Sequence, residues 1–127
     1  MANVHRFRRN TLIEDIVPVQ SATVIEVGDL VKVDTNGYLV RMTTSNDSFL
    51  GVAMSASKDG DTDPVRVAVN GYGAVFEFPL ASAGNVKYGD EMTFSDAQEV
   101  KPKVSGDTVV GKVVQAGTNV SNVLIRI

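Results

Sequence analysis

An all-β fold is predicted for this 127-residue chain, a compact β-barrel or β-sandwich-like body of two pseudo-repeated halves behind an extended N-terminal arm. Three observations predict it. Short β-branched or aromatic runs recur at spacings of roughly 8–12 residues with turn residues between them. No segment has the amphipathic period of about 3.6 residues that marks a helix. The order of features is also written twice: the corner Val27-Gly28-Asp29 opening onto Leu30-Val31-Lys32-Val33 returns as Tyr88-Gly89-Asp90 opening onto Glu91-Met92-Thr93-Phe94. After each corner comes an apolar run broken by one glycine, Phe49-Leu50-Gly51-Val52-Ala53-Met54 and Val109-Val110-Gly111-Lys112-Val113-Val114, and then a closing run, Val65–Val69 and Val123–Ile127. Two copies are too few for an open repeat array, which needs about three or more units to bury a continuous core.

Taken in order, residues 1–21 read as an extended N-terminal arm and residues 22–127 as a single all-β domain, with pseudo-repeats over about 24–79 and 86–127. The arm has no sustained periodicity and mixes arginines with apolar residues, and Pro18 restricts its end to an edge or pre-strand position because proline lacks a ladder donor. Thr23–Val27, Leu30–Val33 and Tyr38–Met42 follow as strands, the last two joined at Asn36-Gly37, whose tolerance of positive φ suits a tight hairpin. Polar loops over 43–48 and 57–64 flank the first glycine-centred strand. The turn Asn70-Gly71 then leads to Val75–Phe78, ended by Pro79. A connector over 80–87 reaches the second corner, after which the order repeats with a looser middle.

A chain of this length can bury roughly two-thirds of its unfolded surface in one core. With no cysteine there are no disulfides, thiolate metal sites or cysteine nucleophiles, and with no signal-like segment behind Met1 the expectation is a protein made and folded in the cytosol. No apolar run approaches the roughly 20 residues that span a bilayer. Three of the twelve basic residues, Arg6, Arg8 and Arg9, fall in the first eleven positions, where there is no acid. The rest holds nine basic against fifteen acidic side chains, a net −6. Phosphate affinity comes from clustered Lys and Arg, so bulk nucleic-acid binding by the body is not expected.

No catalytic residue is nominated. The single histidine, His5, lies in the arm with nothing to orient it. Asp59-Gly60-Asp61-Thr62-Asp63 invites a calcium reading, but Pro64 and Asn70 stand where an EF-hand-type loop needs glycine and glutamate; it reads as a solvated turn, and neither metal nor cofactor is expected. Neither glycine-rich phosphate motif occurs, and the absence of tryptophan weighs against a lectin. The candidate binding residues are in the arm: Arg6, Phe7, Arg8, Arg9, Leu12 and Ile13, apolar anchors among charges that need a partner surface to cover.

The run of Gly28-Asp29, Gly51-Val52-Ala53, Val67-Ala68-Val69-Asn70-Gly71, Val75-Phe76-Glu77-Phe78-Pro79, Ala81-Ser82-Ala83-Gly84 and Gly89-Asp90, with Gly111-Lys112-Val113-Val114 and Val123–Ile127, resembles the small capsid decoration, or cement, proteins of tailed bacteriophages. The resemblance covers about residues 24–127 as a pattern of turns and strands. It implies a compact β-barrel of the β-tulip type on the outer surface of the mature phage head, a homotrimer that clamps neighbouring major capsid subunits, with no catalytic residue to carry over. Leu80 departs from the pattern, where a lysine is expected after the proline, and the arm is longer than usual. The alternative is a receptor- or glycan-binding β module on a virion surface.

Overall fold

The computed structural model describes residues 6–9 and 12–127; Met1–His5, Asn10 and Thr11, all in the expected arm, lie outside the described residues. The chain is all-β. Among the described residues, eleven strands form two sheets, and the one helical feature is a single 3-10 turn at Asp96–Gln98. One sheet holds β2 (Glu14–Val17), β6 (Val65–Val69), β5 (Gly51–Ala53), β3 (Leu30–Val33) and β4 (Leu39–Arg41), in that spatial order. The other holds β1 (Arg6–Arg9), β7 (Val75–Val86), β11 (Gly117–Arg126), β10 (Gly111–Val113), β8 (Glu91–Ser95) and β9 (Glu99–Pro102). A parallel pairing of Leu80 with Val100 joins β9 back to β7 and closes five of these six strands into a barrel. In the first sheet, Leu39 N donates to Pro18 O at 2.8 Å and draws β4 against the end of β2.

The two halves share one strand order, and their registers coincide. Val17 opposite Val65 corresponds to Phe78 opposite Val123; Ala53 opposite Val67 corresponds to Val113 opposite Ile125; Val33 opposite Leu39 corresponds to Phe94 opposite Val100. The duplication is therefore one of pairing as well as sequence order. Its units begin one strand earlier than the sequence suggested, β2 to β6 in the first half and β7 to β11 in the second. The boundary expected at residues 21 and 22 is corrected accordingly: β2 lies inside the expected arm but is a sheet strand. The reason is that Glu14–Val17 offers a single buried residue, Val17, too little apolar alternation to mark a strand unless its partner Val65–Val69 is known.

Equivalent inward positions are filled by apolar side chains in both halves. Val17, Val31, Leu39, Ala53, Val65 and Val67 pack inside the first. Their counterparts Phe78, Met92, Val100, Val113, Val123 and Ile125 belong to the larger core cluster, where the Phe76 and Phe78 rings stand 6.3 Å apart and tilted by 57°. The outward positions differ. Leu30, Val52 and Ala68 are fully buried and join the larger cluster, so the outer face of the first sheet packs on the second half. Their counterparts Glu91, Lys112 and Arg126 are exposed. That charged face cannot pack on another unit, as the first sheet does, without desolvating its charges.

The corner motif is a hydrogen-bonded turn closed by aspartate. Glu26 N donates to Asp29 Oδ2 at 2.8 Å while Asp29 N donates to Glu26 O at 3.1 Å. Lys87 and Asp90 repeat the arrangement at 2.9 and 3.1 Å. Lys58 with Asp61 and Val104 with Asp107 form the same turn. All four turns place glycine before the aspartate at φ between 91° and 96°, a region that a side chain makes costly. Only Asp29 among these aspartates is fully buried, and Arg41 Nε meets its Oδ2 at 2.8 Å. The residue equivalent to Arg41 in the second half is Pro102.

Candidate functional site

Of the arm residues nominated from sequence, Arg6–Arg9 lie along one edge of the six-stranded sheet, whereas Leu12 and Ile13 follow beyond it, Ile13 beside β6 of the other sheet. β1 runs antiparallel to β7, with Arg6 opposite Glu77, Phe7 opposite Phe76 and Arg9 opposite Val75, and a register shift between Phe7 and Arg9. Arg6, Phe7 and Arg9 are thus backbone-paired to the body, with Arg8 in the irregularity between them. Leu12 is partly buried against the larger core cluster. Ile13 is 39% exposed, and its carbonyl accepts from Val69 N at 3.0 Å. Within one chain, then, Leu12 packs inward and Ile13 is open to a partner.

The seam between the halves is polar and ordered, and sequence inspection missed it. Gln98, 4% exposed at the end of the 3-10 turn, accepts from Leu30 N at 2.7 Å and donates to Met42 O at 3.2 Å. Its backbone sits at φ 61°, where the first half has Gly37. The loop over 43–48 docks across the same seam: Thr108 N and Thr93 Oγ1 donate to Ser45 O at 2.8 and 3.1 Å, and Ser45 Oγ donates to Asp107 Oδ1 at 2.7 Å. The hint in the sequence was Gln98 standing where the first copy has the turn glycine Gly37.

Two aspartates hold this seam. Desolvation opposes ionisation of Asp47, but the Thr43 amide at 2.9 Å, the Lys32 ammonium at 2.9 Å and the Thr44 amide at 3.1 Å outweigh it and hold its carboxyl well below the usual range. The Ser45 hydroxyl, the Val104 amide and the nearby Lys101 and Lys103 charges lower Asp107. A carboxyl depressed in the folded state stabilises fully above its ordinary pKa of 3.8 and loses that contribution as pH falls below it. Asp47→Ala is therefore expected to cost about 1–2 kcal/mol at neutral pH, with a gap from the parent that narrows as the solution is acidified. Urea unfolding of both proteins from neutral to acid pH checks this.

Elsewhere the described surface is open. A cleft of about 230 Å³ lies over the outer part of β7 and β11, lined among others by Glu77, Val86, Val120 and Asn122. Tyr72 and Tyr88 are 56% and 68% exposed, the latter beside the second Gly-Asp corner. Among the described residues, no group of three or more His, Cys, Asp or Glu side chains is placed to hold a metal ion, and no helix is long and apolar enough to cross a membrane.

No family model matches the chain, and no curated protein matches it. Among solved structures it is similar to the N base of the head fibre gp8.5 of bacteriophage phi29. The TM-score is 0.59 at 16% identity, over 91% of this chain and 94% of that one. At this identity the likeness shows the fold: the two-half all-β body is shared almost from end to end.

Proposed function

We propose that this chain is a structural protein of a phage virion, a decoration protein that binds the outer surface of the head as a homotrimer and clamps neighbouring major capsid subunits. The observation that carries the reading is the near full-length fold likeness to the base of a phage head fibre. A cysteine-free body with interlocked halves suits a clamp, whose work is to present rigid surfaces rather than to move. Linked copies gain avidity from effective concentration even where each makes few contacts. Arg6, Phe7, Arg8, Arg9 and Ile13 form the proposed contact edge, with Leu12 anchoring it to the body.

The test is cosedimentation of the purified protein with expanded phage heads, together with its mass by light scattering. Saturable binding and a trimer mass are expected; a monomer that never cosediments overturns the reading. Deleting residues 1–13 is a poor probe of the edge, because it also strips β7 of a paired strand and uncovers the core beside Leu12. Replacing Arg6, Arg8 and Arg9 together by alanine keeps the backbone pairing. Head affinity is expected to fall at least about tenfold with the unfolding midpoint unchanged, and unaltered affinity removes the arginines from the interface.

A further inference from the structure

Because the two halves share register, each strand edge of one has a counterpart in the other. Val75–Glu77 on β7 carries β1 along its outer edge. The counterpart on β2 is Glu14–Ile16, and among the described residues nothing pairs with its outer edge. Backbone groups of alternate residues in a strand face opposite sides. Ile13 O accepts from Val69 on the β6 side, whereas Pro18 O accepts from Leu39 on the other. Glu14 and Ile16, in phase with Pro18, therefore point their N–H and C=O groups outward. Ile16 is 69% exposed, and Glu14 and Asp15 are exposed as well. An uncovered edge of this kind is a template for strand addition.

We propose that the Glu14–Ile16 edge of β2 is a strand-addition site that takes an extended, basic polypeptide segment of a partner protein, antiparallel to β2. The chain supplies its own template: the equivalent edge on β7 holds Arg-Phe-Arg-Arg. Transferred in the same register, Arg9 of such a segment falls opposite Glu14, an opposite-charge cross-strand pair, and Arg6 falls opposite Ile16. A second copy pairing β2 with β2 antiparallel about Glu14 or Asp15 would set acids against acids, and like charges across a ladder are destabilising; centring on Ile16 would oppose Glu14 to Pro18, which has no N–H and whose carbonyl already accepts from Leu39. Each copy's own Arg6–Arg9 is already paired with its β7, which leaves a basic segment from another protein. The inference goes beyond the capsid reading and is tested without heads, so the two fail separately.

The experiment titrates the full chain with a synthetic peptide of sequence His-Arg-Phe-Arg-Arg-Asn, followed by NMR and amide hydrogen exchange. Saturable binding is expected, with new protection at the amides of Glu14 and Ile16 and no binding of a peptide carrying glutamate for each arginine. Glu14→Lys is expected to weaken binding by roughly tenfold, and Ile16→Pro, which removes an outward donor on an edge that tolerates proline, to abolish it. Because changes in the peptide cannot unfold the protein, the peptide comparison stands even if the proline variant misfolds. Absence of binding, equal binding of the acidic peptide, protection confined to Val75 and Glu77, or a β2-to-β2 dimer overturns the proposal.

Discussion

Gly111→Ala is expected to destabilise the protein by about 3–5 kcal/mol. A β-carbon at 111 would overlap the carbonyl oxygen of Arg126 and sit 2.5 Å from Ile125 Cγ2. The oxygen belongs to the backbone of β11, which is held in register by β7 and cannot retreat without breaking the barrel. The equivalent Gly51 faces the carbonyl of Ala68 in the same way, so Gly51→Ala is expected to fall in the same range. These are strand glycines required by close approach rather than by backbone angle. Gly84→Ala is the control, since its nearest atom would be Ser82 O at 3.9 Å; it is expected to lie within about 0.5 kcal/mol of the parent. Urea unfolding of the three variants provides the check, and a Gly111 variant as stable as the Gly84 variant contradicts the packing described.

Gln98→Ala is expected to cost about 2–4 kcal/mol, because it leaves a buried donor, Leu30 N, and a buried acceptor, Met42 O, without the amide that joins them. The hydrogen bonds cross from one half to the other, so the loss is expected to appear first as faster exchange of the Leu30 amide. Gln98→Gly separates the two roles of this residue. Glycine accepts φ 61° freely but carries no amide, and the variant is expected to remain less stable than the parent. A stabilised glycine variant instead means that backbone strain at 98 outweighs both hydrogen bonds. Gln98→Glu keeps an acceptor for Leu30 N but, once ionised, has no proton for Met42 O, so it is expected to be weaker at neutral pH than in acid.

Several features were readable from the chain because they are local. The Gly-Asp corners combine a positive φ with a carboxylate reaching three residues back, and both requirements are written in adjacent letters. The glycine-centred strands and the apolar runs that close each half stood out for the same reason. Pairing is not local. Glu14–Val17 looked like the end of an arm because a strand with one buried residue has almost no pattern of its own, and only Val65–Val69 across the ladder makes it a strand. Gln98 escaped notice because a single glutamine becomes a strut only when Leu30 and Met42, distant in sequence, are brought to it.

The sequence by itself determined that this protein is all-β, that it is doubled, and where its Gly-Asp corners fall, since turn chemistry and strand propensity act over a few residues; it did not show that β7 runs on through Pro79 to Val86. The tertiary structure decided which face of each half is covered. Leu30, Val52 and Ala68 against Glu91, Lys112 and Arg126 is a comparison that exists only once the registers are known. It was also the fold that set β1 on one edge of β7 and left the matching edge of β2 open, because strand order is fixed by contacts between segments whose separation along the chain carries no trace of their pairing.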